Sequence, residues 1–280
     1  MNLWRIKMKK IIFILAALCC AATLPAFNLS DISGDVSIGY MNHTMVTTYN
    51  SETIKQQLEV PLQTALGTGN LTLADQKSTD VYNAFVAGLS LKISYLYLNL
   101  GAGFPSKSLP TGFDPLGAKL KAFNVSDKIK GSVIIDGLLG AGVTLFKNTP
   151  FNIVLGGGLG VNYIRTKRDL PEAFVKTIVN DKGEAIAKQF TEIRSTASIG
   201  VGADIGIRYY FTKNIGVSFD IKDTVYFLPV MNQRYYNGTL VNGQAFTYTI
   251  TKEQKQDIKS LIKYQWSNNF TARLGIAWKL

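Results

Sequence analysis

The chain is nearly devoid of cysteine. Cys19 and Cys20 are the only two in 280 residues, and both lie near the N-terminus. Beyond them there is no thiol chemistry and no material for disulfides. There is one histidine, His43. That excludes any Cys/His metal spacing. After the N-terminal segment no long apolar run occurs, because polar residues interrupt at alternate positions. This excludes membrane-spanning helices. No Pro/Gly/Ser-rich linker separates two halves. Gly156-Gly157-Gly158-Leu159-Gly160 lacks the following helix that a phosphate-binding loop needs. No cofactor or metal is expected.

What is present begins with an export signal. Arg5, Lys7, Lys9 and Lys10 precede the uncharged apolar run Ile11 to Ala22, and Ala22 or Ala26 suits a cleavage site. The expected organisation is a signal peptide over 1–26 and one domain over 27–280. Removing those four bases from the net charge of +11 leaves +7. A basic balance suits nucleic acid, but export makes anionic lipid, polysaccharide or host glycan the expected class of partner.

The dominant period is two. From Ile193 to Phe211, the series Ile193, Ala197, Ile199, Val201, Ala203, Ile205, Ile207, Tyr209, Phe211 opposes Arg194, Thr196, Ser198, Gly200, Gly202, Asp204, Gly206, Arg208, Tyr210. A helix would mix these sets; a strand separates them onto two faces. The split recurs over 31–43, 81–92, 94–104, 131–146, 151–164, 215–227 and 266–280, which gives eight strands long enough to cross a bilayer when tilted. Connections near 92–94, 147–150 and 212–214 are tight. Those at 44–80, 105–130, 165–192 and 228–265 are long. Period two also fits a soluble sandwich or a lipocalin-like barrel. Against these, the polar face is rich in glycine and opposite charges. The apolar faces also carry aromatics toward strand ends: Tyr40, Phe104, Tyr163, Phe211, Phe227, Trp266 and Trp278.

The expected fold is therefore all-β: a transmembrane antiparallel up-and-down barrel of eight strands, with short periplasmic turns and four long outer loops. Both termini would be periplasmic. Asn242-Gly243 signals a hairpin in the last loop. Thr251-Lys-Glu-Gln254 resembles a capping box opening a short helix through Ile258, Leu261 and Ile262. Segments 51–66 and 171–190 are expected to be partly helical.

Arg273, Gly275, Trp278 and Leu280 match the polar–x–Gly–x–x–hydrophobic–x–hydrophobic assembly signal on the last strand of bacterial outer-membrane barrels. The usual terminal aromatic is replaced by Leu280. With the strand pattern, the chain resembles the small eight-stranded group of the OmpA transmembrane domain, OmpX and OmpW. The resemblance implies the outer membrane of a diderm bacterium. It also implies membrane lipid and the barrel assembly machinery as partners, and roles from anchoring and adhesion to uptake of small hydrophobic molecules.

Three functional readings follow. In the first, inward Asp35, Asp136, Asp204, Asp220, Arg194, Arg208, Arg273 and Lys222 form a charge network that plugs the lumen, since eight-stranded interiors hold side chains or one small ligand. Arg273 is expected to approach Asp35 across the closing strands. The protein is then a surface-exposed structural and interaction barrel without catalysis. Its outer bases Lys119, Lys121, Lys128, Lys130, Arg234, Lys255, Lys259 and Lys263 would face lipopolysaccharide, an anionic glycan or a host ligand, not nucleic acid. In the second, the inward glycines, instead of accommodating Tyr82, Tyr95, Tyr97 and the arginines, leave room for a narrow pore or an OmpW-type hydrophobic-solute route, with a side opening near Gly156 to Gly160. In the third and most remote, His43 with Thr44 and Glu52 or Glu59 acts on lipid at the outer leaflet, although nothing at fixed spacing supplies a nucleophile.

Overall fold

The computed structural model describes residues 31–49, 77–112, 132–169, 187–249 and 262–280, together with Gln256. The export signal, segment 51–66, most of 171–190 and the capping box lie outside these residues. The strands are β1 Ile32–Tyr49, β2 Lys77–Ile93, β3 Leu96–Gly112, β4 Val133–Leu145, β5 Phe151–Asp169, β6 Ala187–Tyr210, β7 Ile215–Leu240, β8 Ala245–Thr249 and β9 Ile262–Lys279.

All neighbours are antiparallel. Consecutive pairing runs from β1 to β7, β7 pairs β9, and β9 returns to β1, so eight strands close a ring. Closure leaves no free edge in the bilayer, where an unpaired backbone amide costs several kcal/mol. The ninth strand, β8, adds to the far end of β7 through a turn with Gly243 at φ 85°. Asn242-Gly243 supplies the left-handed backbone that this hairpin requires.

Alternation sorts the two faces as the period predicts. Val36, Ile38, Phe85, Val161, Val201, Ile205, Leu274 and Ile276 are exposed on the outside. Between them, Asp35, Asn99, Asp136, Arg208, Thr224 and Arg273 are buried inside. This is the inverse of a soluble protein. An apolar wall around a buried charged interior is stable only with hydrocarbon outside. The structure is thus a transmembrane barrel, and the sandwich and lipocalin-like alternatives fall.

Three tight turns share the end that carries Asp31 and Leu280. Ser94 adopts φ 55° and its amide donates to Asp31 O at 2.8 Å. Asn152 Nδ2 donates to Phe146 O at 2.6 Å, closing the β4–β5 turn. The amide of Ile215 donates to Thr212 Oγ1 at 2.9 Å in the β6–β7 turn. Such side-chain bonds fix short turns. The strand ends that lead into the long connections lie at the opposite, outer end.

Most strands run further than the hydrophobic pattern indicated: β7 has 26 residues and β6 has 24. About 9–11 suffice to cross a bilayer, so the excess stands above it. There the outward side chain no longer meets lipid, and alternation fades while the backbone ladder continues. Ile193, assigned to the lipid face, is buried instead. Ile262, assigned to a helix, opens β9. Tyr95, assigned inward, is exposed in the β2–β3 turn.

Toward the outer end the ring divides. Pairing of β3 with β4 ends at Gly103–Ile134, and pairing of β7 with β9 ends at Tyr226–Ser267. Strands β9, β1, β2 and β3 continue upward as one wall, and β5, β6, β7 and β8 as another.

Candidate functional site

The candidate site is the barrel interior. Inward positions are set by register, and small residues there decide what fits. A Cβ on Gly88 would collide with the Arg273 guanidinium, and Cβ atoms on Gly156 and Gly142 would press on the Tyr97 ring. Gly103 likewise makes room for Met41, and Gly160 for Thr224 and Tyr226. The inward glycines therefore accommodate large side chains. Arg208, Arg273, Tyr97, Tyr226, Lys92, Lys222, Met41, Ile134 and Leu138 are all fully buried.

The charges form separate clusters. Near the periplasmic end Arg208 Nη2 lies 2.9 Å from Asp35 Oδ2 and donates at 2.9 Å to Ser90 Oγ, while Ser90 donates to the same carboxylate. Beside it Asp204 accepts from Tyr97 OH and Asn99 Nδ2. Higher up Asp136 pairs with Lys222 and accepts from Tyr226 OH. At the outer end Arg194 Nη1 stands 3.8 Å from Asp80 Oδ2.

Two sequence expectations change. Arg273 does not pair with Asp35. It stands opposite Gly39 in the β1–β9 register, four positions above Ala277, which faces Asp35. Its Nη1 donates to Leu100 O at 3.0 Å instead. Arg208 reaches Asp35 from β6, across the lumen. By hydrogen bonds the charges also fall into separate groups, although Asp35, Asp204, Asp220, Arg208 and Arg273 stay within electrostatic reach of one another. Arg194 sits at the rim, and both carboxylate oxygens of Asp220 lack a hydrogen bond among the described residues. Ser90, Tyr97, Asn99 and Tyr226 were legible as inward residues, but not as partners of these charges.

The interior is sealed below by a charged rim. Asp31 binds Lys92 Nζ at 3.0 Å and also Lys147 from the β4–β5 turn. Partial burial pushes the Asp31 carboxyl up, but hydrogen bonds from Lys147 and Lys92 outweigh this and hold its pKa below the ordinary value.

An opposite apolar side completes the plug. Met41, Tyr82, Ala84, Val86, Ile134 and Ile164 form one cluster. His43 is fully buried near Tyr82 and Tyr226, with ring centroids 6.2 and 6.5 Å away. Neither of its nitrogens has a hydrogen-bond partner among the described residues. Thr44, its expected catalytic neighbour, is adjacent in β1 and therefore on the other face. Glu52 and Glu59 lie outside the described residues. No group of three or more potential metal ligands occurs among the described residues.

Near Gly156 to Gly160 the ladders β4–β5 and β5–β6 are continuous, so the wall is closed where a side opening was expected. In the assembly signature, Trp278 pairs with Gly34 and Ile215, Gly275 with Ser37 and Ser218, and the Leu280 amide donates to Ile32 O at 2.9 Å. Of the basic outer positions, Lys263 is exposed on β9 and Arg234 lies on β7 opposite Arg194. Lys119, Lys121, Lys128, Lys130, Lys255 and Lys259 lie outside the described residues.

Closed ring, apolar wall and charged interior define an integral β-barrel of the bacterial outer-membrane class. Within that class, the chain belongs to the family described as Domain of unknown function (DUF2715), whose model matches residues 35–280. No curated protein matches. Among solved structures, it is similar to a major outer membrane protein from Thermus thermophilus, at 15% identity and TM-score 0.44, covering 87% of this chain and 99% of that one. It is also similar to the outer membrane protein OprG from Pseudomonas aeruginosa, at 11% identity and TM-score 0.43, covering 91% and 99%. A third is the outer membrane protease OmpT from Escherichia coli, at 8% identity and TM-score 0.41, covering 92% and 99%.

Proposed function

We propose that the protein is a non-conducting, non-catalytic surface barrel that anchors an interaction platform in the outer membrane. The observation that carries this is the filled lumen. Among the described residues Arg208, Tyr97, Arg273, Lys222 and Tyr226 point inward and are fully buried, and the space beside Gly88, Gly103, Gly142, Gly156 and Gly160 is taken by neighbouring side chains. Buried ion pairs of this kind seal a barrel without adding much stability.

The platform is the pair of walls above the bilayer. The described part carries Arg165, Lys167 and Arg168 on β5, Lys188 on β6 and Lys263 on β9. With the excess of positive charge, these favour an anionic partner, such as lipopolysaccharide phosphates or an acidic host glycan. Outer-membrane lipid and the barrel assembly machinery are the remaining partners, the latter through Arg273, Gly275, Trp278 and Leu280.

The test is planar-bilayer conductance of refolded residues 27–280, with folding checked first. A folded barrel without discrete steps is the expected result. Reproducible steps would overturn it. A second reading, an OmpW-type route for hydrophobic solutes, draws support from the clefts where β3 leaves β4 and β7 leaves β9. Uptake of an apolar dye by vesicles carrying the folded barrel, without conductance, would favour it.

A further inference from the structure

Most of the outward face from Phe211 and Leu280 below to Tyr163 and Trp266 above is apolar. Asp223 breaks it. This residue alternates with inward Lys222 and Thr224, so it stands outside, between exposed Ile221 and Val225. Among the side chains described on that face it carries the only charge. Its register partners are Ala203 on β6 and Phe270 on β9, well within the apolar span. An ionisable residue at such a depth is costly and marks a functional contact.

Three observations define what would meet it. Asn268 Nδ2 donates to Asp223 Oδ1 at 2.6 Å, and Oδ2 has no hydrogen-bond partner among the described residues. Asn268 begins a polar track along the outer wall. It pairs with Thr44, whose hydroxyl donates to Asn42 Oδ1 at 3.2 Å, and Asn42 Nδ2 donates to Asn83 Oδ1 at 2.8 Å. The acid also lies just below Tyr226–Ser267, the last β7–β9 pair, at the base of the cleft. The track thus runs around the wall from β9 across β1 to β2, at the level of Asp223 and one rung above it, so a headgroup beside Asp223 meets polar neighbours as well as Val225 and Phe270.

We infer that Asp223 and Asn268 form a site for a lipid of the outer leaflet whose headgroup carries an ammonium N–H. Charge decides the occupant. The acceptor is anionic, which repels anionic headgroups. Among the described residues, a second copy of this barrel offers no cation on the same wall. An ammonium donates to Asp223 Oδ2 while the lipid chains lie along Val225, Phe270 and Ala272. A charge-assisted hydrogen bond in this low-dielectric setting outweighs a neutral one.

The experiment is native mass spectrometry of the detergent-solubilised barrel, titrated with phosphatidylethanolamine, phosphatidylcholine (no N–H on its cation) and phosphatidylglycerol. One phosphatidylethanolamine should be retained at least about tenfold more tightly than either other lipid, as the loss of a hydrogen bond to a charged group predicts. Asp223→Asn should remove that preference with folding unchanged, and Asn268→Leu should weaken it. Asp169→Asn, at the outer end of β5, should leave it intact. Equal retention of the three lipids, or a preference that survives in folded Asp223→Asn, would overturn the inference. So would a dimer that Asp223→Asn dissociates, which would assign the face to a second copy.

Discussion

Replacing Arg208 by Met tests whether the lower ion pair seals the lumen. Asp35 and Arg208 are both 0% exposed. Without the guanidinium, Asp35 keeps only Ser90, and its Oδ1 already lacks a partner. Met preserves most of the volume, so the cost is chiefly electrostatic. Removing one member of a buried pair costs about 3–5 kcal/mol. Replacing both members with apolar groups is often neutral. Asp35→Leu with Arg208→Met should therefore recover most of the loss, and the double-mutant cycle isolates the coupling. Urea unfolding of the refolded barrel, followed by the fluorescence of Trp266 and Trp278, reads both values. A single-mutant cost below about 1 kcal/mol, or a double mutant no better than the single, would refute the reasoning. Arg273→Ala supplies the contrast: it should leave the Asp35 cluster intact, because Arg273 binds Leu100 O rather than Asp35.

Other expectations follow from the same geometry. Gly88→Val should destabilise the barrel by about 1–3 kcal/mol or block assembly, since the new side chain meets the Arg273 guanidinium; an unchanged urea midpoint would contradict this packing. His43→Leu should stabilise by about 1 kcal/mol, because an unbonded buried polar group is replaced by an apolar one; destabilisation would show that the imidazole has a partner. The Asp31 rim should make stability acid-sensitive. Its pKa is depressed in the folded state, so its contribution is fully present above the unfolded value of about 3.9 and is lost as pH falls through the folded value. Lys147→Met should flatten this dependence between about pH 5 and pH 3, measured by urea midpoints; identical slopes would exclude the rim contact.

Why the interior resisted reading is visible in Arg273 and Arg208. Both alternate with lipid-facing residues, so their inward direction was legible. Their partners were not. Strand adjacency suggested Arg273 with Asp35, but register places them at different heights, and a long side chain from β6 crosses the lumen instead. The separation of Arg194 from the lower charges has the same cause. Asp223 was hidden because the pattern assigned polar residues inward and passed over the single acid between Ile221 and Val225.

The sequence alone determined the class of fold. A period of two, tight turns alternating with long connections, and one face for lipid are local properties, because side-chain direction in a strand depends only on position parity. Hairpin chemistry at Asn242-Gly243 was local in the same way. Tertiary structure alone decided what the faces do. Pairings across the lumen depend on the stagger of the closed ring, which no single strand encodes. The filling of glycine sites by Tyr97, Tyr226 and Arg273, and the division of the rim into two walls, arise only once eight strands meet. Whether a barrel of this pattern is open or plugged is thus a question of cross-lumen volume and charge, settled by contacts between residues far apart in the chain.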